Sequence, residues 1–136
     1  MTLTGTGTGT GTGIRALSLV CVPTPDQDAA IAFYEALGFE KRTDEPFGGG
    51  YRWIEVYPPE GGTGIALAPP APGGGDVEPT QTGITLTTTD IDATHAALKA
   101  RGVDVDAEVS RMGEPVPPLF WFRDPTGHTL MVVEQP

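Results

Sequence analysis

The amino-acid sequence predicts an α+β domain built from two tandem βαβββ modules, and three observations carry that prediction. The second half of the chain repeats the first: Leu19–Phe39 (LVCVPTPDQDAAIAFYEALGF) aligns with Gly83–Val103 (GITLTTTDIDATHAALKARGV) at an offset of 64 residues. Asp26 falls on Asp90, Asp28 on Asp92, Ala29 on Ala93, Ala32 on Ala96, Ala36 on Ala100 and Gly38 on Gly102. In each copy an alternating apolar run passes through an Asp-rich turn into a segment of helical periodicity that ends at glycine. Short β-branched and aromatic runs follow, separated by turn residues. A unit of roughly 60 residues, present twice, is too long for a solenoid repeat. Neither copy buries enough apolar surface alone, so the two share one domain.

The elements follow in order. Ile14–Val22 alternates and predicts a strand covered on both faces. Pro23–Asp28 is a turn, with Asp26 or Asp28 placed to cap the helix over Ala29–Leu37. Ala30, Phe33, Tyr34 and Leu37 form its buried stripe, and Gly38 stops it. Strands are expected near Phe39–Arg42, Tyr51–Tyr57 and Thr63–Ala68, with Pro58–Gly62 as a hairpin turn. The second copy predicts a strand at Thr82–Thr88, a helix at Ile91–Arg101, and strands near Val103–Val109, Leu119–Arg123 and Thr129–Glu134. Asp124–Gly127 (DPTG) reads as a tight turn. The Thr–Gly alternation of Thr4–Gly13 cannot build a core, so residues 1–13 read as a flexible tail. The domain then spans 14–136, with modules at 14–68 and 80–134 and a linker at 69–79 that includes Pro69–Gly75 (PPAPGGG).

Composition excludes several function classes. The chain holds 8 basic and 18 acidic residues, a formal net charge of -10. Nucleic acids and anionic lipid surfaces need a positive partner, so neither is expected. A single cysteine permits no intramolecular disulfide and no thiolate zinc cluster. No apolar run approaches the roughly 18 residues of a membrane span, and the N-terminus lacks a charged-then-apolar leader pattern. A cytoplasmic location is the expectation.

Three stretches, AIAFYEALGFE, TTTDIDATHAALKARGV and FRDPTGHTLMVVEQ, resemble the glyoxalase / bleomycin-resistance / extradiol dioxygenase superfamily, also called vicinal oxygen chelate proteins. The resemblance covers about Ile14–Glu134. It implies that the paired modules form curled mixed sheets around a central cup. It also implies homodimers, and functions that range from isomerases, lyases and ring-cleaving dioxygenases to drug-sequestering proteins; fold alone does not choose among them. Enzymatic members hold a divalent metal with two ligands per module. The matching positions here are Leu19, Ala66, Gly83 and Met131, and all four depart from the family pattern. Cys21 and Gln81 share faces with positions 19 and 83, but a thiolate and an amide make a poor shell for a hard ion. No metal and no other cofactor is expected.

The residues that remain suggest a ligand site. If Ile54 and Val56 face the helix, then Tyr51, Trp53 and Glu55 face the cup. Phe120 and Phe122 likewise leave Trp121 and Arg123 on the cup side. The two tryptophans are expected at equivalent positions of the two modules, as apolar walls, with Glu55 and Arg123 as polar contacts. Leu19, Cys21, Ala66, Gly83, Thr85 and Met131 complete the expected lining, and the small residues among them suggest open volume. Glu55 is the candidate acid or base should the protein be an enzyme. Cys21 reads as a small hydrophobe, His95 as a structural residue beside the helix stripe, and His128 as turn chemistry. The expected function is metal-free sequestration or carriage of an apolar or aromatic small molecule, of the resistance type. The alternative is a lyase- or isomerase-type enzyme, working by acid–base chemistry or with atypical metal ligands.

Overall fold

A computed structural model describes residues 11–70 and 77–135. The tail reading for residues 1–10 and the linker reading for residues 71–76 lie outside those residues. In chain order the elements are β1 (Leu19–Pro23), α1 (Gln27–Ala36), β2 (Glu40–Gly48), β3 (Tyr51–Tyr57) and β4 (Gly64–Ala68). The second set is β5 (Gln81–Thr88), α2 (Ile91–Ala100), β6 (Asp104–Val105), β7 (Leu119–Arg123) and β8 (Thr129–Glu134). Each module forms its own four-stranded mixed sheet, in the orders β1-β4-β3-β2 and β5-β8-β7-β6. The first and last strands of each module, β1 with β4 and β5 with β8, run parallel, and the other neighbours are antiparallel. The architecture is therefore α+β, with two tandem βαβββ modules.

The repeated aspartates do the same work twice. The Asp26 carboxylate accepts from the amide of Ala29 at 3.1 Å, and Asp90 accepts from Ala93 at 3.1 Å. Each satisfies an amide that has no partner inside the helix. Both helices end at a left-handed glycine, Gly38 (φ 101°) and Gly102 (φ 79°).

Three strands differ from the sequence reading. β1 begins at Leu19 rather than Ile14, and Ile14 and Leu17 are exposed. Its partner β4 starts at Gly64, opposite Leu19, so residues before 19 have no ladder to join. β2 runs to Gly48 because β3 offers it a partner along its whole length, across irregularities at Lys41/Thr43 and Pro46/Gly48. Its polar run hid it from pattern reading. β6 stops at Val105 instead of continuing to Val109. There the Asp106 carboxylate accepts from the Trp121 amide at 3.1 Å, the place a further strand carbonyl would take.

One core joins both modules. Val22, Ala30, Ile31, Tyr34, Ile54, Val56, Ile65 and Leu67 of the first pack with Ile91, Leu98, Phe120, Phe122, Leu130 and Val132 of the second. The stripe of α1 is Gln27, Ala30, Ile31 and Tyr34, with Phe33 and Leu37 only partly covered. Phe33 instead meets Phe122 of the other module, ring centroids 6.2 Å apart. Three hydrogen bonds cross the same boundary: Tyr34 to Asp124, the Arg101 guanidinium to the Ala36 carbonyl, and His128 to the Pro23 carbonyl. His128 is fully buried. Its Nδ1 accepts from the Thr80 amide at 3.1 Å, which leaves Nε2–H to donate to Pro23 at 2.8 Å. The turn histidine thus fastens one module to the other. His95 is structural as well: Nε2 lies 2.7 Å from the Asp106 carbonyl, and its ring meets Phe120 edge-on.

Candidate functional site

The helices and the shared core cover one face of each sheet, and the expected ligand residues lie on the other. In the first sheet the register aligns Cys21, Ala66, Glu55 and Thr43 in one row. Val20, Ile65 and Val56 form the next row, which faces the core. Cross-strand partners share a face, so Cys21, Ala66 and Glu55 stand together on the helix-free side. Leu19, Trp53 and Tyr57, two residues away along their strands, stand there too. In the second sheet the corresponding row is Thr85, Met131 and Trp121, with Arg123 on the same face and Gly83 inside the register shift of β5.

The two tryptophans are not equivalent. Register matches Cys21 to Thr85, Ala66 to Met131, and therefore Glu55, not Trp53, to Trp121. The offset of 64 holds through β1 and α1 but drifts afterwards, because the loops between later strands differ in length. A carboxylate in one module thus takes the place of an indole in the other.

Glu55 is held by its own strand. Trp53 Nε1 donates to Glu55 Oε2 at 2.8 Å, and the Tyr57 hydroxyl donates to Oε1 at 2.7 Å. Both donors lie two residues from Glu55, so strand alternation alone aims them at it. Tyr57 is clamped in turn: the Arg42 guanidinium sits 4.5 Å from its ring centroid, and the ring lies against Gly64. A Cβ built on Gly64 would come within 2.6 Å of that ring. The bond to Glu55 raises the Tyr57 phenol above its ordinary range. Tyr57 is not among the ligand residues expected from sequence, although the period that places Trp53 and Glu55 on this face also places it.

Arg123 is placed as expected but is already engaged. Its two terminal nitrogens donate to Asp106 and Asp104, each at 2.9 Å. The guanidinium holds the Asp104 carboxyl below the usual carboxylate range. The expected small residues also divide. Ala66 is fully buried and forms part of the sheet floor, whereas Gly83 and Thr85 are exposed. Gly83 has φ 76° beside a register shift in β5, and a Cβ there would meet nothing within 4 Å.

Within one chain the two groups of residues belong to separate sheets. The contacts that join the modules come from the helices, the helix side of β7 and the strand ends. On the helix-free faces Cys21, Gly83, Thr85 and Thr87 are exposed in the single chain, whereas Leu19, Trp53, Glu55 and Tyr57 are partly covered and Ala66 is buried. A separate open depression of about 390 Å³ lies at the start of α1. Its Arg52 is tied to Asp28 and Asp44, and its Gln27 to the backbone of Arg52 and Leu67, so its polar groups bind one another.

Residues 16–132 match the model of the glyoxalase / bleomycin resistance protein / dioxygenase superfamily. The chain belongs to this superfamily. Among curated relatives, the uncharacterized Bacillus subtilis protein YurT is 34% identical over 119 residues, covering 81% of this chain and 91% of that protein. A superfamily member from Sphaerobacter thermophilus is 33% identical, with a TM-score of 0.79 over 90% of this chain and 98% of the other. TnmS3, an antibiotic-binding protein from Streptomyces sp. CB03234, is 32% identical, with a TM-score of 0.74 over the same shares.

The donor set at the superfamily's metal positions does not fit a divalent ion. Leu19, Ala66 and Gly83 offer no side-chain donor, and Met131 offers only a thioether. Among the described residues no three His, Cys, Asp or Glu side chains gather where they could hold one. At Gly83 the left-handed backbone disfavours any side chain at all. Among the described residues no helix is long and apolar enough to cross a membrane.

Proposed function

We propose that this protein binds an apolar or aromatic small molecule without converting it, sequestering or carrying it in the manner of a resistance protein. The observation that carries this reading is the composition of the helix-free faces. Trp53, Tyr57, Trp121 and Met131 supply broad apolar surface, while the superfamily's metal positions hold no oxygen or nitrogen donors. The 32% identical antibiotic-binding protein supports the same reading. In it the protein is a homodimer, and the second copy covers the open faces. β1 and β5 each end a sheet, and the faces beside them are exposed, which suits a cup closed between copies.

The second reading is an acid–base enzyme using Glu55, favoured by the two donors that fix its carboxylate. Tryptophan fluorescence titrated with a panel of aromatic metabolites and antibiotics, with and without EDTA, tests the binder. Saturable binding unaffected by EDTA is expected. Binding lost in EDTA and restored by a divalent ion overturns the metal-free reading. Glu55→Gln separates the two classes: an enzyme loses on the order of a hundredfold in turnover, whereas a binder has no turnover to lose.

A further inference from the structure

We infer that the ligand is cationic: an aromatic compound carrying a protonated amine, seated against Glu55, with anionic compounds rejected. The inference rests on the binding reading above and narrows it to a ligand class.

The helix-free faces carry a one-sided charge. Glu45 pairs with Trp53, Glu40 with Tyr57, and Asp104 with Arg123, which puts all three carboxylates on these faces beside Glu55. Asp106 joins them through its bond to Arg123. Against five carboxylates stand two guanidiniums, and both are engaged: Arg42 with Glu40 at 2.9 Å, Arg123 with Asp104 and Asp106. Lys41 and Arg52 lie opposite core-facing or helix-side partners and bind Asp44 instead. Among the described strand residues, no cation on these faces is left to receive a ligand's carboxylate or phosphate.

Glu55 differs from the other four carboxylates. It is half-buried, lies between two aromatic side chains, and makes no salt bridge among the described residues. Trp53 and Tyr57 each occupy one of its oxygens, and a carboxylate oxygen accepts more than one bond. A ligand that covered Glu55 would strip its remaining water. That costs heavily unless a positive charge replaces it. An ammonium meets the need, and the Trp53 and Tyr57 rings beside it favour a cation further. A ligand anion in the same place would face the Glu55 carboxylate, while the nearest guanidinium, Arg42 over the Tyr57 ring, is already paired with Glu40.

The test uses three matched probes read by tryptophan fluorescence at pH 7 and low salt: 9-(aminomethyl)anthracene, 9-anthracenemethanol and anthracene-9-carboxylate. The amine is expected to bind about tenfold or more tightly than the carboxylate, the worth of a charge-assisted bond. Glu55→Gln should collapse that advantage to within about threefold, with the circular-dichroism spectrum intact. If the alcohol binds but the carboxylate matches the amine, the ligand class is wrong and the binder reading stands. If the amine's advantage survives Glu55→Gln, Glu55 is not its seat and the inference fails. If none of the three binds, the binder reading falls and takes the inference with it.

Discussion

The Tyr34 hydroxyl donates to Asp124 Oδ2 at 3.2 Å, joining residues 90 apart in the chain and two modules that share no sheet. Tyr34 is fully buried, and Asp124 uses its other oxygen to cap the turn amides of Thr126 and His128. Removing the hydroxyl leaves a buried carboxylate oxygen without its donor. Tyr34→Phe should destabilise the fold by about 1–3 kcal/mol in urea unfolding. Burial, then the Asp124 charge, pushes the phenol well above its ordinary pKa of 10.0. A raised pKa means that the neutral form is favoured in the folded state. This contribution is complete below about pH 10 and is lost as pH rises further. The wild type should therefore lose stability in alkali more steeply than Tyr34→Phe.

Gly64 is required for space rather than for backbone freedom. A methyl group there would overlap the Tyr57 ring, with contacts of 2.6 and 2.8 Å. Gly64→Ala should push Tyr57 off Glu55 at a cost of about 1–3 kcal/mol in stability. It should also lower the Tyr57 phenol toward its ordinary pKa, visible in an ultraviolet pH titration. An unchanged titration would show that the hydroxyl bond survives.

Asp44 accepts hydrogen bonds from Arg52 and Lys41, which hold its carboxyl at about 2. The folded pKa lies below the ordinary 3.8, so the pair stabilises the fold above about pH 4. That contribution fades as pH falls toward 2. Asp44→Asn should lower stability at neutral pH and flatten the pH dependence between those limits, measured by thermal melts. The carboxylate is only part-buried, so added salt should shrink the difference.

Trp53→Ala removes both an aromatic wall and a donor to Glu55. Ligand affinity should fall by about 1–3 kcal/mol, judged from the burial of a large side chain. Trp121→Ala removes a wall without touching Glu55, so it should weaken neutral and cationic ligands alike. Titrating the same compound into both variants separates the two roles.

The homodimer reading predicts twice the chain mass by light scattering at tens of micromolar. A monomer mass that also binds ligand tightly would show that one open face suffices.

The sequence by itself determined the modules. Asp26 and Asp90, Gly38 and Gly102, and the apolar rows on β3, β4, β7 and β8 all act through local rules: a cap, a left-handed stop, an alternation. Those rules need no knowledge of distant contacts, so helices and central strands were legible within a few residues. The sequence also placed Trp53, Glu55, Trp121 and Arg123 on the helix-free face, since a strand has only two. Only the tertiary structure decided what those faces contain. Cross-strand register made Glu55 the counterpart of Trp121, and register depends on loop lengths that no periodicity reports. The engagement of Arg123 by Asp104 and Asp106 depended on where a two-residue strand stops. The seam between the modules is built from Phe33, Tyr34, Asp124 and His128, residues whose local patterns suggested a helix stripe and a turn. Their partners lie in the other module, and long-range packing leaves no signature in local sequence.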